Sequence, residues 1–236
     1  FIVNFIITNR QATHPIVHFH TLFSKKPFVG ATMAISSHLT LLTGIAGINV
    51  YIVRILKLPF DISLHFYFFF FVGVIITGIL KMFFYSSVGA GFLGTLGSSA
   101  LLYVSIHWII LGNTINIPLL YIQGLLLGFG ASMTLVSGSM ATLLDGDLKE
   151  AAQRSQTMHT IRNFSAAMLI PIIAYTIKNH IQKGTQSIYA ENITDKMIYL
   201  KKLQDVAIDA DHQIFLLMII FNMVMFVSSI IQMILG

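Results

Sequence analysis

Six stretches of this chain run for about 20 residues or more with very few charges, and they leave little choice of fold. They cover residues 28–53, 62–84, 91–111, 118–143, 158–178 and 213–235. A helix of roughly 20 apolar residues spans the hydrocarbon of a bilayer. The rest of the composition closes off the soluble alternative. The chain is 56% hydrophobic and 10% charged, whereas a soluble domain carries roughly a quarter charged residues. The expected class is therefore an all-α membrane protein with six transmembrane helices. The net charge of +5 does not point to nucleic acid, because the basic residues are scattered through connections and form no stripe. With no cysteine, disulfides, thiolate metal sites and Cys nucleophiles are excluded. Phe1–Ile7 lacks the basic start and cleavage site of a signal peptide. It reads as the tail of an earlier span, so the chain is expected to be a piece of a longer protein.

The punctuation fits helices. Pro27 and Pro118 stand where a helix begins, since a first-turn proline gives up no needed N–H. Asp61, Asn116 and Asp211 are candidate N-caps. Residues 1–27 read as the end of a preceding span plus a linker, and 28–236 as a six-helix domain. Its one long loop is expected at 179–212. There Ile193, Met197, Leu200, Leu203 and Val206 recur at helical spacing, as in an amphipathic helix lying at an interface. Asn192-Ile193-Thr194 matches a glycosylation sequon. Tyr51, Phe66, Tyr67, Trp108 and Tyr121 fall at one end of alternating spans, where an aromatic belt is expected. Lysine and arginine do not orient the spans, with six on the linker side against seven on the other.

Polar residues inside the spans are the candidates for function. All nine acidic residues lie outside the spans, so no carboxylate is expected at membrane depth. In the first span, Ser36, Thr40, Thr43 and Gly47 share a small face, while His38 and Asn49 lie opposite. In the fourth, Gly124 and Gly128 lie on one small face, and Gln123 and Thr134 on another. Small residues at this spacing let backbones approach closely. Two non-lipid faces make both spans central, with His38, Asn49, Gln123 and Thr134 as candidate cavity-lining, substrate-binding residues. In the fifth span, Ser155, His159 and Arg162 share a face, and Pro171 should kink the helix. No metal site and no cofactor are expected.

Three motifs carry a resemblance. Pro15-Ile16-Val17-x-Phe19-x-x-Leu22-Phe23-x-x-x-x-Phe28 resembles the segment entering the C-terminal half of the 14-span drug:proton antiporters of the major facilitator superfamily. "GLLLGFGASM" (Gly124 to Met133) resembles the glycine-rich fourth helix of that half. "QRSQTMHTIRNF" (Gln153 to Phe164) resembles the next loop and helix start, with arginines at Arg154 and Arg162. The chain departs from the family where Phe164, Ser165, Ala166 and Ala167 replace glycines, and where Gly78 to Met82 lacks an Asp.

The resemblance implies one half of a major-facilitator fold in a multi-pass protein of the bacterial cytoplasmic (inner) membrane. It implies a cytoplasmic linker and substrate bound between this half and a missing N-terminal half that holds most coupling acids. Arg154, His159 and Arg162 would then be gate or structural residues on the cytoplasmic side. The expected function is proton-coupled multidrug efflux, the export of amphipathic small molecules by alternating access, with no enzymatic activity. Its partners are substrate, protons and lipid, and not nucleic acid. The alternatives are a specific solute or siderophore transporter of the same superfamily, or a membrane redox protein holding haem between His65 and His107.

Overall fold

Apolar runs of this length must close their backbone hydrogen bonds within themselves, and among the described residues all regular structure is helical. The computed structural model describes residue 8 and residues 19–145, 147–190 and 195–235. A short α1 (Phe19–Leu22) leads into α2 (Lys25–Asn49), which continues as a π-helical turn over Val50–Ile55. Then come α3 (Phe60–Trp108), α4 (Ile117–Leu144), a 3-10 turn (Leu148–Glu150), α5 (Ala151–Ala190) and α6 (Lys196–Leu235). Five of these helices are long and apolar enough to cross a membrane. The linker residues 9–18 and the sequon lie outside the described residues.

The 49-residue α3 is two rods joined at Gly89, whose φ of 74° and ψ of 171° are not helical. Glycine reaches that conformation without a Cβ penalty. In the first arm Phe66 faces Gly124 and Phe70 faces Gly128, so it runs parallel to α4. In the second arm Gly97 faces Gly130 and the Trp108 indole reaches Gln123, so it runs antiparallel to α4. The chain doubles back at Gly89, and the expected spans 62–84 and 91–111 occupy separate arms.

The rods pack in a pattern that survives exchange of the first three for the last three. α2 meets α4 antiparallel, with Gly30 against Gly138 and Ser37 against Thr134. The second arm of α3 meets α6 antiparallel, with Gly91 against Met233 and Asn222 donating to Ser105 at 3.1 Å. α4 also packs on both arms of α3, and α2 packs on α5 and α6. Gly47 lies against Phe215 on α6, and Ala31 and Ala34 lie against Met158 on α5. Each of the two central helices thus touches the other and the second and third rods of the opposite triplet.

Close approach sets these contacts. A Cβ on Gly128 would come within 2.0 Å of the Phe70 carbonyl oxygen, and one on Gly73 within 2.1 Å of that of Leu125. α4 and the first arm of α3 therefore touch backbone to backbone, as small residues permit.

Four expectations change. Residues 179–212 are not a loop, because 179–190 extend α5 and 196–212 extend α6. The two extensions form an antiparallel hairpin, with Gly184 against Val206 and the Tyr189 and Tyr199 rings 6.2 Å apart. The amphipathic spacing over 197–206 belongs to this extension of α6: Val206 packs on α5 at Gly184, while Met197 and Leu200 are exposed. No proline falls between Pro171 and the end of α6 to stop either helix, and α5 runs through Pro171. Asp211 is not an N-cap; it lies fifteen residues inside α6 and is buried. Asp61 sits in the first turn of α3, where a carboxylate suits the helix dipole, and Pro59 takes the cap position. Asn116 does cap α4, accepting from the Leu119 N–H at 3.2 Å.

The fourth change concerns the aromatic residues. They do gather at one end, but they turn inward. Tyr51, Phe66 and Trp108 are fully buried, with Trp108 6.3 Å from Phe66 and 5.3 Å from Phe215 between ring centres. They plug the bundle end opposite the linker instead of ringing it. Packing of these large rings against each other outweighs an interfacial position here.

Candidate functional site

α2 and α4 carry most of the polar side chains that sequence reasoning singled out, and the structure divides them among three places. The first is the contact between the two helices. The Ser37 hydroxyl donates to the Ala131 carbonyl at 3.1 Å and shares a 2.6 Å hydrogen bond with Thr134. Thr134 is fully buried, so it serves helix pairing and faces no open cavity. Ser36 and Thr40 are buried on the same helix, and Thr43 returns its hydroxyl to the Leu39 and Thr40 carbonyls. Gly47, Gly124 and Gly128 seat Phe215, Phe66 and Phe70 in turn. Side-chain hydroxyls bonded within and between helices are ordinary glue in an apolar bundle.

The second place is the aromatic end. Trp108 Nε1 donates to Gln123 Oε1 at 2.8 Å, and Gln123 Nε2 donates to His107 Nδ1 at 2.9 Å. With Nδ1 accepting, the His107 proton sits on Nε2. His107 and Gln123 line a cavity of about 400 Å³ with Leu111, Gly112, Thr114 and Asn116. This polar pocket opens between α4 and the segment before it. Asn49 lies nearby in the bundle and accepts from the Tyr67 hydroxyl at 2.8 Å. Sequence reasoning grouped Asn49 with His38; the structure ties it to Tyr67 instead. Both residues lie on the same regular helix, about three turns apart, so a shared wheel angle does not give them a shared neighbour.

The third place is the face shared by α2 and α5 towards the linker end. His38 is half-buried there, and Arg162 lies close enough to act electrostatically on both His38 and His159. The Arg162 Nε is buried with no hydrogen-bond partner among the described residues. The packing explains the meeting, because Met158 and Ile161 of α5 join Ala31, Ala34 and Ile35 of α2 in one apolar cluster. That register brings residue 162 level with residue 38. Two imidazoles and a guanidinium with no carboxylate among them form a basic, half-open surface, suited to an acidic or hydrogen-bond-accepting partner.

Arg154 is a different case. It is 1% exposed, its Nε and Nη2 donate to the Thr142 and Leu143 carbonyls at 2.9 Å each, and Glu150 lies 3.9 Å away. Those carbonyls belong to the last turn of α4, which has no helical N–H to receive. Arg154 therefore caps α4 with a positive charge at the negative end of its dipole. Of its two expected roles, gate or structural, the geometry gives the structural one a direct mechanism.

His38, Asn49, Gln123 and Thr134 thus do not converge on one site. Of the polar residues that matter here, sequence reading passed over Ser37 and gave three others different roles: His107 a haem ligand, Trp108 a belt residue and Asp211 an N-cap. Ser37 was legible, one residue from His38 on the face towards Thr134. His65 and His107 have separate partners: Nδ1 of His65 lies 2.6 Å from its own helix carbonyl at Asp61, and Nδ1 of His107 accepts from Gln123. Among the described residues, no three His, Cys, Asp or Glu side chains cluster to hold a metal. No family model matches the chain, and no curated protein sequence is significantly similar to it.

Proposed function

We propose that this chain is the C-terminal six-helix half of a major-facilitator transporter in a bacterial cytoplasmic membrane, exporting amphipathic small molecules in exchange for protons. The observation that carries this reading is the exchange pattern of the rods. α2 and α4 are equivalent and central, and each packs on the second and third rods of the opposite triplet. Inverted repeats around central helices are how many secondary transporters build two interconvertible states. The half-open His38–His159–Arg162 face supports the reading as the surface offered to the other half or to substrate. The hairpin of α5 and α6 fits it too. A 40-residue helix is about 60 Å long against a hydrocarbon thickness of about 30 Å, so roughly half of it stands in water on the side opposite the linker.

The experiment is transport by the intact protein reconstituted in vesicles. A lipophilic dye should move when a pH gradient is imposed and stop when a protonophore collapses it. His38→Gln keeps a donor and an acceptor but cannot titrate; it should change apparent affinity and leave the dependence on the gradient intact. No gradient-driven movement of any amphipathic dye would refute the reading, and uncoupling by His38→Gln would move the coupling role to His38.

A further inference from the structure

Among the described residues, the charged side chain with the least compensation is on α6. Asp211 is 1% exposed, and neither carboxylate oxygen has a hydrogen-bond partner among the described residues. Ile208, Ala210, Ile214 and Phe215 around it on the helix are also buried. A bare carboxylate anion sealed in such surroundings is too unfavourable to persist unless something positive goes with it.

The surrounding groups narrow what that something is. Tyr51, from the π-helical turn, lies near enough to interact electrostatically with Asp211, but its hydroxyl proton goes to the Gly112 carbonyl. His212, next in the chain, directs Nε2 to the Leu111 carbonyl at 2.8 Å. From α5, the pairing of Gly184 with Val206 and of Ile173 with Ile214 brings His180 to this level, where its Nδ1 lies 3.3 Å from the Thr176 carbonyl. Arg54 and Lys57 beyond Tyr51, and Asp209 on the same helix, are exposed, and Asp205 is held by Asn113 at 3.3 Å. The segment after α3 brings the Leu111 and Gly112 carbonyls and the Asn113 amide but no titratable side chain, and the His107 of α3 is bonded to Gln123. A hydrated metal cation would need several converging oxygens, and no metal-holding cluster occurs among the described residues. A proton needs only the carboxylate.

We infer that Asp211 is a proton-binding site, closed by the three contacts that tie residues 111–113 to Tyr51, Asp205 and His212. The step is simple: a proton from water forms an O–H bond on one carboxylate oxygen, and the same bond breaks to return it. Water must reach the carboxylate for this exchange, so the contacts at Leu111, Gly112 and Asn113 open when the proton leaves. Leu111 and Gly112 also form a wall of the cavity lined by His107 and Gln123, which gives the opening a solvent side. The place of this proton in a transport cycle rests on the proposed function; the site itself rests on burial and contacts.

The test uses the intact protein in lipid. Infrared difference spectra are recorded as pH is stepped from mildly acidic to alkaline, for wild type, Asp211→Asn and Asp211→Glu. A protonated-carboxyl band is expected in wild type that fades as pH rises. It should be missing from Asp211→Asn and return at a shifted frequency in Asp211→Glu. A spectrum unchanged in both variants overturns the site, as does a band that persists to the highest pH. If Asp211→Asn does not fold, the frequency shift in Asp211→Glu still assigns or refuses the band. Transport is read separately. Should wild type move no dye, the transporter reading fails while the infrared result still judges Asp211. If wild type does move dye, Asp211→Asn should bind it with unchanged affinity but lose proton-driven movement, and undiminished movement would remove Asp211 from the cycle.

Discussion

α4 and α5 follow one another in the chain, and they solve the same problem in opposite ways. Half of the most apolar stretch of α4 is buried inside the bundle, against 11% for α5. α4 achieves this with glycine, alanine, serine and threonine, which bring other helices to backbone contact and use their hydroxyls on carbonyls. α5 instead presents Phe164, Met168, Ile170, Ile172 and Tyr175 outward. Small residues let helices associate by close backbone packing, so they mark where α4 meets its neighbours, while the large apolar side chains of α5 lie at the periphery.

Three substitutions break or sharpen that contrast. The largest effect is expected for Gly128→Leu on α4. Its first carbon would already meet the Phe70 carbonyl, so the helices must separate. Overpacking costs about 1–3 kcal/mol and more against backbone, and loss of folded protein in size-exclusion and thermal-melt assays is expected. A variant that melts like wild type would mean that α4 and α3 are not held this closely. Next comes Arg154→Gln, a change in the first turn of α5 that strips the cap from α4. Losing two charged hydrogen bonds to buried carbonyls should lower stability by about 2–4 kcal/mol, read as a fall in melting temperature. Little change would mean the last turn of α4 finds water instead. The smallest effect is expected for Ile170→Ala on α5, at a side chain 66% exposed. A change within about 0.5 kcal/mol is expected. A clearly larger loss would show that this face of α5 is covered in the intact protein.

Much of the fold could be read from the residues because it is local. Apolar runs between polar connections placed the rods, Asn116 and Pro118 placed the start of α4, and small-residue periodicity marked α2 and α4 as central. The site was legible only in part. Wheel angles correctly paired faces on one helix, as with the buried Thr40 and Thr43, but could not say which neighbour each turn meets, as with His38 near Arg162 and Asn49 on Tyr67. Charge at 179–212 was read as loop, although Lys, Asp and Gln are all compatible with helix. Nothing local distinguishes an extended helix from a surface one there; the Gly184–Val206 contact does.

What the sequence determined by itself, then, was the class of molecule and the order and length of most rods, since backbone hydrogen bonding and hydrophobic length are properties of each segment. The tertiary structure decided which polar groups have partners. Arg154 finds the end of α4, Gln123 finds Trp108 and His107, Arg162 comes beside His38, and Asp211 has no hydrogen-bond partner among the described residues. Those pairings join residues far apart in the chain, and the reach of a hydrogen bond is about 3 Å, so only the packed register of the helices could settle them.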